Sequence, residues 1–254
     1  MKFSFYVLIP AGIALAFFVM QYFTTTEGGS GAGMTREEIE AELSVQSFDA
    51  LFELIEDRFP ERMKAHRDQT LEIMSDPRLA QAHKGQQVMA LNRDFTDTLR
   101  RENAALIAQA PEAILLELQQ AELDVLHSVR ADPELCTRLA AGGLAALSRF
   151  EQAALDQDKM RVMILTQFQA MVAGQDAPTP RAPPDEADWE LFIKDWIATD
   201  AQAETAIRAF LDVRTDLPEA YCAGATSFYR QLLEDGSAGG VRIMAEYSKT
   251  VAGR

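Results

Sequence analysis

Apolar residues recur at helical spacing along almost the whole chain. Phe48, Leu51, Phe52 and Ile55 fall at i, i+3, i+4 and i+7, one stripe of an amphipathic helix. Thr35 and Glu38 flank the start of that segment as a capping box, and the spacing predicts a helix from there to about Arg58. Pro60 ends or kinks it, and a second segment runs to about Met74, where Ser75-Asp76-Pro77 stops it.

A long helical stretch follows from Arg78 to Ala110, with Val88, Leu91, Phe95, Leu99, Leu106 and Ile107 as its core positions. Pro111 opens the next helix, on which Ile114, Leu115, Leu118, Leu123 and Leu126 make a further apolar face. Asp132-Pro133-Glu134 reads as a cap for a helix carrying Leu135, Leu139, Leu144, Leu147 and Phe150. Met160, Met163, Ile164, Phe168 and Met171 form the stripe of the one after, with the methionines as gap-filling core.

Four prolines between Gly174 and Asp188 prevent regular structure there and mark a linker over 175–188. Beyond it, Trp189, Phe192, Ile193, Trp196 and Ile197 share one helical face that holds both tryptophans. Such a stripe packs as core, or it presents anchors to a partner, since tryptophan is enriched at binding hot spots. Trp189, Phe192, Ile193 and Trp196 are the candidate partner face. Helices at about Ala201 to Val213 and Pro218 to Glu234 follow, and the segment after Gly240 adds a short terminal helix. The alternating pattern of a strand is nowhere convincing, and Ala, Leu, Glu and Gln are abundant. The fold class is all-α.

The first 26 residues differ from everything after them. From Phe3 to Phe23 there are 21 residues without a charge, enough to cross a hydrocarbon core of about 30 Å at about 1.5 Å per residue. Tyr6 and Tyr22 lie where aromatic rings suit the headgroup layer. A cleavable signal peptide would have a shorter apolar run and a small-x-small site at its exit. The exit Phe18-Val19-Met20-Gln21-Tyr22-Phe23 is bulky instead, which favours an uncleaved anchor over 1–26. Lys2 and the amino terminus then predict a cytoplasmic N-terminus and an exported body. Gly12 and Ala16 stand four apart, the spacing at which another membrane helix could approach closely. Residues 27–34 are rich in glycine and read as a flexible tether.

The expected organisation is therefore an anchor at 1–26, a tether at 27–34, a helical domain at 35–174, the Pro-rich linker at 175–188, and a C-terminal helical segment at 189–254 packed on the preceding domain.

Charge narrows the partners. With 39 acidic against 24 basic residues the net charge is −15, which repels phosphate backbones and sets nucleic acid aside. The chain has two cysteines, Cys136 and Cys222, each early in a predicted helix for which Asp132 or Asp216 is the expected N-cap, with a Pro and a Glu in the first turn. A redox pair or half of a metal site would each use two cysteines. Neither belongs to a C-x-x-C motif, and His66, His83 and His127 offer no metal spacing beside them. In an oxidising compartment two such thiols are expected to form a disulfide.

A P-loop, a dinucleotide fingerprint and a metal-ligand cluster are all missing from the sequence, so no cofactor is implied. Composition and pattern point to a membrane-anchored periplasmic protein of the bacterial inner membrane, held in the bilayer by its N-terminal helix. Its partners would be proteins in or at the membrane, in a subunit, assembly or scaffold role. The alternatives are an envelope hydrolase using paired carboxylates, and a helical bundle that binds a small apolar ligand.

Overall fold

The computed structural model describes residues 50–199 and 204–253. Among them lie eleven α-helices and no strand, so the chain is all-α. The 1–26 apolar run with Gly12 and Ala16, the 27–34 tether and the Thr35 capping box lie outside the described residues. Among those described, no helix is long and apolar enough to cross a membrane.

Contacts divide the chain into two compact units that part between Leu99 and Arg100. The described part of the first contains α1 (Ala50–Arg58), α2 (Pro60–Ser75) and most of α3 (Gln81–Ile107). Pro60 occupies the first turn of α2, where its missing N–H costs nothing. Helix α2 buries Met63, His66, Thr70, Leu71 and Met74, a single stripe at helical spacing. Arg67 holds Glu56 through two nitrogen–oxygen contacts of 2.5 and 2.6 Å, and Lys84 Nζ donates to the Met74 carbonyl at 2.7 Å. The latter satisfies one of the carbonyls that α2 leaves open at its end.

The second unit holds the end of α3, α4 (Glu112–Ser128), α5 (Pro133–Gly142), α6 (Arg149–Ala154), α7 (Gln157–Asp176), α8 (Glu186–Thr199), α9 (Glu204–Leu211), α10 (Pro218–Glu234) and α11 (Ala238–Ala252). Helix α10 packs against α4, α5, α9 and α11. Residues 224–229 of α10 are all buried, the all-round burial expected of a central helix. Close approach here depends on missing side chains. A Cβ at Gly224 would lie 2.1 Å from the Ala206 carbonyl oxygen of α9, and one at Gly174 would lie 1.9 Å from that of Leu106.

Aromatic rings fill the space around α10. Phe192 and Trp196 of α8, Phe210 of α9, and Tyr221, Phe228 and Tyr229 of α10 pack with Tyr247 of α11 at centroid separations between 4.8 and 6.2 Å. Trp196 Nε1 donates to Ser227 Oγ at 2.9 Å, which removes the cost of burying the indole N–H. The Pro-rich stretch between α7 and α8 is irregular but pinned. Thr179 N donates to the Gln109 carbonyl at 2.7 Å, and Arg181 donates to the carbonyls of Ala108 and Ala110 at 3.1 and 2.7 Å.

Two local expectations are corrected. The helix expected from Pro133 through Phe150 stops at Gly142, and Gly143 adopts φ +64°, open to glycine at little cost. A 3-10 turn follows at Leu144–Ala146, then α6, opened by a capping box between Ser148 and Glu151. Phe150 therefore leaves the expected core stripe and is 90 % exposed. Asp132 caps α5 as expected, accepting from Leu135 N at 3.0 Å, but Asp216 does not cap α10. The N-cap of α10 is Leu217, while Asp216 accepts from Arg214 at 2.8 Å.

Candidate functional site

The structure brings the two cysteines together. Cys136 of α5 and Cys222 of α10 form a disulfide with their Cα atoms 5.6 Å apart at a sequence separation of 86. Thr137 Oγ1 donates to the Pro218 carbonyl at 2.9 Å and fastens the same two helices beside it. Both sulfurs are consumed in the bond, so neither is a reactive thiol or a metal ligand. Among the described residues no group of three or more His, Cys, Asp or Glu is placed to hold a metal.

The Trp189–Trp196 face is divided. Phe192 and Trp196 are fully buried in the aromatic cluster, and Trp189 and Ile193 are half-buried. In the folded chain the first two are core, so they cannot serve as anchors for a partner. Their spacing carried both meanings, and burial decides between them.

The most unusual chemistry lies where sequence reasoning did not look. Glu122 of α4 is 4 % exposed, at the junction of α4, α7, α10 and α11. Gln167 Nε2 of α7 donates to its Oε1 at 3.3 Å and Gln119 Nε2 approaches its Oε2 at 3.4 Å. The Tyr229 hydroxyl of α10 bonds to it as well and bonds on to Tyr247 of α11. Gln119 Nε2 also donates to Ser248 Oγ of α11 at 2.8 Å, and that hydroxyl donates to the Met244 carbonyl at 2.8 Å.

Burial outweighs these partners and pushes the Glu122 carboxyl up to about 7, against the pull of Gln167, Tyr229, Arg100 and Gln119. The Tyr229 hydroxyl is pushed well above the usual phenol range by the same burial and by Glu122 itself.

A slot of about 50 Å³ reaches Glu122, room for a few water molecules. Glu122, Gln167, Tyr229 and Arg100 give it a polar side, Met163 and Leu139 an apolar one, and the turn at 142–145 lies at its rim. Paired-carboxylate hydrolysis needs a second acid facing the first. Among the residues lining this slot, Glu122 is the one carboxylate. A wider groove of about 570 Å³ lies on the surface between α5 and the turn before α10, edged by Glu134, Arg138 and Asp216.

Glu122 had a signal. Leu115, Leu118, Glu122 and Val125 fall at i, i+3, i+7 and i+10, so a carboxylate occupies a core position of an otherwise apolar stripe.

The turn after α9 carries a different oddity. Val213 takes φ +53°, with Arg214 N bonded to the Ala209 carbonyl at 2.8 Å and Val213 N to that of Phe210 at 3.1 Å. That is a Schellman ending whose left-handed position normally holds glycine. A β-branched residue there is strained, and Val213 is 64 % exposed, so burial offsets little of the cost. Leu211 and Leu217 beside it are exposed too.

Compared with known proteins, the chain matches no family model, no curated protein and no solved structure.

Proposed function

We propose that the chain is a membrane-anchored, extracytoplasmic helical interaction protein: a subunit, assembly factor or scaffold of a complex in the bacterial inner membrane. Its N-terminus lies in the cytoplasm and its helical body in the periplasm. The observation that carries this reading is the Cys136–Cys222 disulfide. Stable disulfides belong to oxidising spaces, and a body in such a space must have crossed a membrane. The uncharged run from Phe3 to Phe23 supplies the means of crossing and of staying attached.

An interaction role is supported by what the surface keeps exposed. Phe150 stands in solvent at the start of α6, and Val213 holds a strained backbone without burying its side chain. Both offer apolar contact to a protein partner, a use that fits strain retained at functional positions.

The test is purification of the full-length protein from native membranes in mild detergent without reductant, with quantification of whatever remains bound. The expected result is a stoichiometric membrane complex from which Phe150→Asp or Val213→Asp releases the chain. A protein that alkaline carbonate washes off the membrane, or that purifies alone, overturns the reading.

A further inference from the structure

We propose that the junction of α4, α7, α10 and α11 is a proton-binding site, with Glu122 as the group that takes the proton and the adjoining slot as its route to solvent. This goes beyond the interaction role and does not depend on it.

The hydrogen-bond inventory points there first. An ionised carboxylate is an acceptor only, and it needs donors on both oxygens. Glu122 receives amide N–H from Gln167 and, at the long distance of 3.4 Å, from Gln119, and the Tyr229 hydroxyl bonds to it too, fewer donors than its two oxygens have lone pairs. Beside it Gln119 Oε1 is fully buried and has no hydrogen-bond partner. Two neighbouring groups thus hold spare acceptors at a buried position that the slot joins to solvent. A proton on Glu122 supplies one more donor there, and it removes a charge that burial disfavours.

Few charges face the site. From α3, Arg100 faces the slot, and its guanidinium is engaged with the Val251 carbonyl of α11 at 3.2 Å. From α7 comes neutral Gln167, from α10 the phenol Tyr229, and from α11 Tyr247 and the hydroxyl of Ser248. Leu139 and Ala140 of α5 face the slot without charge. Arg100 is thus the one formal charge facing Glu122 from these elements, and it favours the ionised form less than burial disfavours it.

Four helices contribute to one acid, so the proton couples to their packing. Glu122 in the folded chain holds its proton to about pH 7, against an unfolded value of 4.5. Between those values the folded state binds the proton and the unfolded state has released it. Stability from this group is full below the unfolded value and is lost as pH rises through the folded one. The unfolding constant then changes by up to about tenfold per pH unit, roughly 300-fold across the window.

The experiment is an infrared titration of the full-length protein in detergent micelles, with its glutamates labelled with carbon-13. The expected result is a protonated-carboxyl band that persists well above the ordinary carboxylate range, is lost near neutral pH, and is missing from Glu122→Gln. In parallel, urea unfolding of the wild type should show a pH slope between 5 and about 7 that Glu122→Gln loses. Gln167→Leu removes an amide donor to the ionised form and should raise the midpoint of the band. It keeps the claim open to refutation even if Glu122→Gln fails to fold. A band that titrates with the other glutamates, or a slope unchanged in Glu122→Gln, overturns the proposal.

Discussion

Among the described residues each of the two units buries one histidine or carboxylate in a helical stripe, and the two respond to acid in opposite directions. In the first, His66 of α2 is 6 % exposed and stacked on Phe95 at 4.2 Å, nearly parallel, with Phe52 stacked farther off at 6.3 Å. Its Nδ1 has no partner. Burial lowers its proton affinity, and its bond with Asn92 does not make up the difference. In the second, burial raises the affinity of Glu122. Desolvation acts in both cases and always favours the neutral form, which is the base for histidine and the acid for glutamate. One physical cause therefore destabilises the first unit in acid and stabilises the second.

The largest expected effect concerns the staple, which only the second unit has. Replacing Cys136 and Cys222 with Ser should cost about 4–5 kcal/mol in the chain-entropy model for a loop of this length. Hydrogen exchange should quicken across α4, α5 and α10 and stay unchanged in α1 and α2. A uniform loss across both units would erase the distinction between them.

The next effect separates the two titrations. Trp189 and Trp196 both belong to the second unit, so tryptophan fluorescence during urea unfolding reads that unit alone. Its stability contribution from Glu122 should fall by about 3 kcal/mol between pH 4.5 and neutrality. The first unit should move the other way. With the His66 proton affinity depressed in the fold, its contribution is full above the unfolded histidine value and is lost as pH falls through the folded one. Resonances of the His66 ring should report this, with a midpoint below the ordinary 6.5.

A smaller change tests the stack itself. His66→Phe keeps an aromatic ring on Phe95 and removes both the orphan nitrogen and the bond to Asn92, so the two terms offset and the stability of the first unit near neutral pH should change by less than about 1 kcal/mol. It should also abolish that unit's sensitivity to acid, which comparison of thermal melts at pH 5 and about pH 8 would reveal. The smallest effect lies at the turn after α9. Val213→Gly should stabilise the second unit by about 0.5 kcal/mol, the left-handed strain relieved less the entropy cost of glycine. If it also weakens partner binding, the strained valine is there for contact.

Most helices could be read from the sequence because their apolar spacing and proline stops are local properties. Pro60, Pro111, Pro133 and Pro218 each stand at or beside a helix start. The cysteines could be read because two thiols without ligand neighbours leave few chemistries. Phe150 was misplaced because its spacing continued an apolar pattern across Gly142-Gly143, where the backbone turns away. The Asp216 cap failed because Arg214, two residues back, competes for the same carboxylate. Glu122 draws no notice in the sequence, and His66 is weighed there as a metal ligand, for a shared reason. Each falls on a core position of its helix, yet periodicity was counted over apolar residues, and a polar residue inside the stripe registers as a gap. A search for ionisable residues on core positions would have found both.

The disulfide also decides how the chain would yield to force. When a folded chain is pulled from its ends, unfolding normally lets the whole polypeptide extend. Here the sequence separation of 86 from Cys136 to Cys222 is short-circuited by the bond. About 300 Å of slack, at about 3.5 Å per residue, stays locked until the bond is reduced. The oxidised protein is thus a short leash and the reduced one a long leash, a difference that a single-molecule extension trace would read directly.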